Sequence, residues 1–89
     1  MHLERNVITS EQIRGARAML RIEQSGLAER AGVSLETIKR IERKPGKVSA
    51  YAATLEAVRA ALESAGVEFI AENGGGAGVR LRKGEELGQ

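Results

Sequence analysis

The side chains that most often carry covalent or metal chemistry are nearly missing from this 89-residue chain, which has no cysteine, no aspartate and a single histidine, His2. Disulfides, thiol nucleophiles, thiolate metal sites and most catalytic triads therefore cannot be assembled from it. Glutamate pairs such as Glu68 and Glu72, or Glu85 and Glu86, have no nucleophile, metal ligand or histidine beside them and read as solvent-facing charge. The run Gly74-Gly75-Gly76-Ala77-Gly78 is superficially like a phosphate-cradling loop. Such loops open a helix, whereas the residues that follow, Val79-Arg80-Leu81-Arg82, alternate as a strand does. What remains is charge and hydrogen bonding. Lys39, Arg40, Arg43, Lys44 and Lys47 crowd into one short stretch. Residues 1–47 hold ten Lys/Arg against six Glu, a net +4, while residues 48–89 hold four against six, a net −2. The basic half points to an anionic partner, although the total of +2 specifies none by itself. No enzyme activity, cofactor or metal is expected.

The elements that must position these residues follow from the spacing of apolar and capping residues. Thr9, Ser10, Glu11 and Gln12 form a capping-box pattern that opens a first helix over about Ser10 to Ile22, with Ile13, Ala16 and Leu20 on its apolar face. Gln24 to Arg30 can form a short second helix burying Leu27 and Ala28, and Gly32 supplies a left-handed stop. Ser34 caps a third helix, about Leu35 to Arg43, with Ile38 and Ile41 to bury. Its Glu36 lies near the start and its Lys39, Arg40 and Arg43 toward the end, as the helix dipole favours. Lys44-Pro45-Gly46-Lys47 breaks that helix. With Ser49 as cap, the four-three-four spacing of Tyr51, Leu55, Val58 and Leu62 predicts an amphipathic helix over residues 50–65 that stops at Gly66. Tyr51 and Phe69, the two aromatic residues, are expected in the core or an interface.

After Gly66 the period falls to two. Val67, Phe69 and Ala71 alternate with Glu68, Ile70 and Glu72, and Val79 and Leu81 alternate with Arg80 and Arg82, which predicts a β-hairpin. Its connection, Asn73 to Ala77, contains Asn-Gly, a strong hairpin signal because both residues tolerate positive φ. The expected architecture is mainly α: residues 1–66 form a four-helix bundle, 67–82 a C-terminal β-hairpin, and 83–89 a flexible tail.

Gln24 to Arg43 carries the functional signal. Two short helices are joined by Ala31-Gly32-Val33-Ser34, and the second is polar and basic on its outer side, a shape that can enter the major groove of B-DNA. Leu27-Ala28-Glu29-Arg30-Ala31-Gly32-Val33-Ser34 followed by Thr37-Ile38-Lys39-Arg40-Ile41-Glu42-Arg43 resembles the XRE-type, phage lambda repressor-like helix-turn-helix regulators, with the likeness running from about Ile13 to Leu62. The resemblance implies a lambda-repressor-like bundle that binds double-stranded DNA. It matches Leu35, Glu36, Thr37 and Arg40, with Lys39 beside them, to groove-facing positions. Gln24 matches a backbone-touching glutamine, and Arg17 and Glu42 match a structural ion pair. The chemistry agrees: Arg40 can bond guanine through two parallel contacts, Glu36 can accept from cytosine, and Leu35 or the Thr37 methyl can meet a thymine methyl. Gln24, Ser34, Arg43, Lys44 and Lys47 suit phosphates. Three features depart from the family pattern: Gly26 within the second helix, Glu23 as its cap, and a hairpin where a fifth helix is usual.

A lone hairpin is marginally stable and exposes pairing edges, so Val67, Phe69, Val79 and Leu81 must cover the last helix, meet a second copy, or both. A homodimer reading an inverted repeat is expected, acting as a transcriptional repressor in the cytoplasm. No apolar run is long enough to cross a bilayer, and the first residues lack the apolar stretch of a secretion signal. Two other readings stand beside it. One is an antitoxin-type protein whose hairpin binds a small protein partner while the helix pair represses the shared operon; the other is an architectural DNA binder without operator preference.

Overall fold

The computed structural model describes residues 7–84. They form α1 (Ser10–Leu20), α2 (Gln24–Ala31), α3 (Leu35–Arg43), α4 (Ala52–Ala65) and an antiparallel hairpin of β1 (Val67–Ile70) and β2 (Gly78–Leu81). The fold is mainly helical with a C-terminal two-stranded hairpin. No helix among the described residues is long and apolar enough to cross a membrane.

The capping box opens α1: the Gln12 N–H donates to Thr9 Oγ1 at 3.0 Å and the Thr9 N–H to Gln12 Oε1 at 2.8 Å. Ile8 and Ile13 flank that box and are both essentially inaccessible, so together they staple the chain into the core ahead of the helix. α1 ends at Leu20, two residues before the expected Ile22, because Arg21 turns left-handed (φ 58°), its own N–H donating to the Ala18 carbonyl and the Ile22 N–H to the Arg17 carbonyl. α2 starts without a side-chain cap and closes at Gly32 (φ 71°). Gly26 has a packing reason: a Cβ there would lie 3.2 Å from Ile22 Cγ2, closer than a methyl group normally approaches.

α4 corrects the expected start. Its N-cap is Tyr51 rather than Ser49, and Tyr51 is 86% exposed rather than in the core. The backbone at Tyr51 is extended, so its side chain precedes the first helical turn and leaves the stripe formed by Leu55, Val58 and Leu62.

The hairpin also differs in detail. The strands end at Ile70 and Leu81, leaving Ala71 and Arg82 outside, and residues 71–77 connect them. Among the described non-glycine residues only Arg21 has positive φ, so Asn73 does not take the positive φ expected of it in an Asn-Gly turn, whereas Gly74 does (φ 106°). The pairs Val67↔Leu81 and Phe69↔Val79 place four apolar side chains on one side, over the helices. Val67 is 1% exposed, and Phe69 and Val79 are half-buried against the same cluster as Ile13, Leu27, Ile38 and Leu62. The hairpin therefore shares the bundle's core. Val67 cannot serve the dimer interface expected of it, since its own chain encloses it. Of the tail expected at 83–89, residues 85–89 lie outside the described residues.

Two contacts seat the hairpin on α1. A Cβ at Gly15 would stand 3.4 Å from Val79 Cγ1, at the near limit of ordinary contact, so β2 lies close against α1 here. Buried Gln12, besides completing the capping box, donates through Nε2 to the carbonyls of Gly78 at 2.8 Å and Ile70 at 3.3 Å. On the α4 side, the Arg59 guanidinium lies 5.2 Å from the centre of the Phe69 ring.

Candidate nucleic-acid interface

α3 has two chemically distinct sides. Ile38, Ile41 and Glu42 are buried, whereas Leu35, Glu36, Lys39, Arg40 and Arg43 are exposed, with Ser34, Lys44 and Lys47 exposed at its ends. Thr37 and Gln24 are half-buried. The helix start is defined by Ser34 Oγ, which accepts the Thr37 N–H at 3.0 Å and lies 2.9 Å from Thr37 Oγ1. With both hydroxyls tied into the cap, Thr37 keeps its methyl for apolar contact.

The buried charge on α3 is neutralised from within. The Glu42 carboxylate accepts from Arg17 Nε at 2.7 Å and Arg17 Nη2 at 2.8 Å, and Arg17 Nη1 donates to the Ile22 carbonyl at 3.0 Å. This two-pronged bond to Glu42 holds the Arg17 pKa above its ordinary value, with burial opposing it. Gln24 Nε2 donates to Glu42 Oε1 at 3.0 Å. One carboxylate thus ties α3 to both α1 and the start of α2. It also fixes Gln24, which retains a second amide hydrogen for an outside acceptor.

Because Glu42 is matched inside, the outer side presents five cations (Lys39, Arg40, Arg43, Lys44 and Lys47) against one carboxylate, Glu36. Glu36 Oε2 lies 4.0 Å from Arg43 Nη2, both side chains being more than half exposed, which makes a weak, salt-screened pair. Lys39, Arg40, Lys44 and Lys47 have no side-chain partner among the described residues. The result is a positive surface backed by a rigid ion-paired layer.

Lys44 and Lys47 sit on a pinned turn. The Ser10 N–H donates to the Gly46 carbonyl at 2.9 Å, the Gly46 N–H to Glu11 Oε1 at 3.1 Å, and the Val48 N–H to the Ile8 carbonyl at 3.1 Å, so the turn after α3 is stitched to the start of α1. A Thr9↔Lys47 bridge belongs to the same seam. Hydrogen bonds from its own N–H and then from the Gly46 N–H hold the Glu11 pKa below the usual carboxylate value. These partners are 35 residues apart. Apolar periodicity cannot show such a contact, and the sequence reading missed it.

Tyr51, expected in the core or an interface, is on the surface of this chain. With Ser49, Ala50 and Thr54 it lines a shallow depression that reaches Arg40, and a second one joins Arg40 to Lys44, Pro45 and Lys47.

No protein-family model matches the chain, and no curated protein matches it either.

Proposed function

We propose that this chain is a sequence-specific, double-stranded DNA-binding regulator of transcription that works as a dimeric repressor at an inverted-repeat operator. The observation that carries this reading is the exposed basic side of α3, held against α1 and α2 by the buried Arg17–Glu42–Gln24 network. In the proposed docking α3 lies in the major groove, Arg40 reads guanine, Glu36 accepts from cytosine, and Leu35 and the Thr37 methyl meet thymine, with Lys39 beside them. Lys44, Lys47, Arg43, Ser34 and Gln24 hold phosphates, and Tyr51 joins them from the start of α4.

Nine helical residues extend about 13 Å at 1.5 Å each, which covers roughly four base-pair steps of 3.4 Å. So short a word does not address a genome, so two copies reading half-sites about one helical turn apart are required. A bound dimer would act by occluding polymerase. Selection of duplexes from a random library by the purified protein tests this reading: an enriched inverted repeat with that spacing is expected. Recovery of duplexes with no common sequence would refute it in favour of an architectural binder.

A further inference from the structure

β2 has an open side. The Arg82 N–H donates to the Gly66 carbonyl at 2.8 Å, and stepping along the register from that pair makes Glu68↔Arg80 and Ile70↔Gly78 the hydrogen-bonded pairs of the hairpin. The N–H and C=O groups of Val79 and Leu81 therefore face away from β1, and none of them has a hydrogen-bond partner among the described residues. Apolar side chains accompany this edge. Leu81 lies opposite Val67 on the helix-facing side of the hairpin, yet Leu81 is 38% exposed where Val67 is 1% exposed, because β2 overhangs α1. On α1, Gln12 and Gly15 meet β2, and Met19, next along the same side, is 36% exposed.

We propose that a second copy of this chain docks on β2, edge to edge and antiparallel about a two-fold axis at Val79, making one continuous four-stranded sheet. The inference rests on the two-copy part of the function proposed above and supplies its contact. Charge selects the occupant and the register. Arg80 is paired with Glu68 across the hairpin (Nε to Oε1 2.9 Å) but its side chain stays 67% exposed. An axis at Arg80 would set it against its own copy, and an axis at Leu81 would set it against the copy's Arg82, and like charges directly opposite are destabilising. An axis at Val79 sets Arg80 opposite Gly78 and Leu81 opposite Ala77, so the basic half of each strand lies along the uncharged half of the other. β2 is self-complementary in that register, as a two-fold contact requires. Strand addition also satisfies the unpaired edge and covers Leu81 and Met19.

The test uses the full chain without DNA, so its failure is distinguishable from failure of the DNA-binding reading. Light scattering is expected to give a particle of twice the 9.5 kDa chain mass. Because the chain has no cysteine, Val79→Cys and Leu81→Cys each report the register under mild oxidation. At the proposed axis the two residue-79 Cα atoms are a hydrogen-bonded pair about 5.5 Å apart, within disulfide reach, while the two residue-81 Cα atoms stand roughly 14 Å apart. Val79→Cys is expected to cross-link into dimers and Leu81→Cys to remain uncross-linked, both with the parent's circular dichroism. If Val79→Cys does not fold, the doubly substituted Ala77→Cys/Leu81→Cys chain reports the same register and is expected to cross-link between copies. Leu81→Lys is expected to raise the dimer dissociation constant at least tenfold. A monomeric parent chain, or cross-linking at residue 81 in place of residue 79, overturns the proposal.

Discussion

Glu42 accepts three hydrogen bonds in a nearly sealed site, two from Arg17 and one from Gln24, and its side chain is 3% exposed. Glu42→Ala leaves the Arg17 guanidinium with only the Ile22 carbonyl and strands the Gln24 amide. Removing one partner of a buried pair costs about 3–5 kcal/mol. The Arg17 side chain is 19% exposed, so water recovers part of that, and about 2–4 kcal/mol is the expected loss. An 89-residue domain has roughly 4–13 kcal/mol of stability in all. The midpoint of thermal unfolding should therefore fall by roughly 10–30 °C. Urea unfolding followed by circular dichroism measures the loss directly, with the m-value unchanged. The doubly substituted Arg17→Met/Glu42→Leu chain, which leaves neither charge buried, is expected to lie within about 1 kcal/mol of the parent. Because the Arg17 pKa is raised, its share of stability is present at every pH below its ordinary value and shows no dependence near neutrality. A loss below about 1 kcal/mol for Glu42→Ala, or a double variant that costs the sum of the singles, would refute the buried-pair reasoning.

Other expected outcomes concern the hairpin seat, the pinned turn and the DNA contacts. Gly15→Leu forces a side chain where Val79 already sits and is expected to cost about 1–3 kcal/mol in urea unfolding. Gln12→Ala removes the link to the Ile70 and Gly78 carbonyls and half of the α1 capping box; hydrogen exchange should show the hairpin amides losing protection before those of α3. Glu11 has a lowered pKa, so its stabilising contribution is present above the ordinary carboxylate value of 4.5 and is lost as pH falls through the depressed one. Between about pH 6 and about pH 3 the parent's thermal midpoint should therefore drop more than that of Glu11→Gln. Lys44→Ala and Lys47→Ala should weaken binding to all duplexes alike and each reduce the salt slope by about 1, and Tyr51→Ala should weaken binding without changing base preference.

Much of the scaffold is legible from residue spacing. The Thr9/Gln12 box, the Gly32 stop, the Ser34 cap and the apolar repeats of α1 and α3 are local signals, and the structure carries them. The Arg17–Glu42 contact, expected from family resemblance, lies at 2.7 Å. What spacing could not show was tertiary. Tyr51 shares the period of Leu55 and Val58, but a one-dimensional pattern does not reveal that α4 begins after it. Val67 alternates just as an interface strand would, and only the packing of β1 onto the bundle shows that its own chain encloses it. Gln12 reads as a capping residue, and its second role at the hairpin depends on a contact 66 residues away. Gly15 and Gly26 look like weak helix positions until their neighbours, Val79 and Ile22, are in place.

Fluorescence anisotropy across a salt series tests the central claim most directly. The duplex just upstream of the chain's own gene and a scrambled control are each titrated with the parent and with Arg40→Ala. Expected is a salt-sensitive preference of the parent for the upstream duplex, with Arg40→Ala losing about 1–3 kcal/mol of specific binding and relaxing one base position. Equal affinity of the parent for both duplexes would remove the upstream fragment as its operator, and an Arg40→Ala chain with unaltered affinity and base preference would contradict the assignment of α3 as the reading helix.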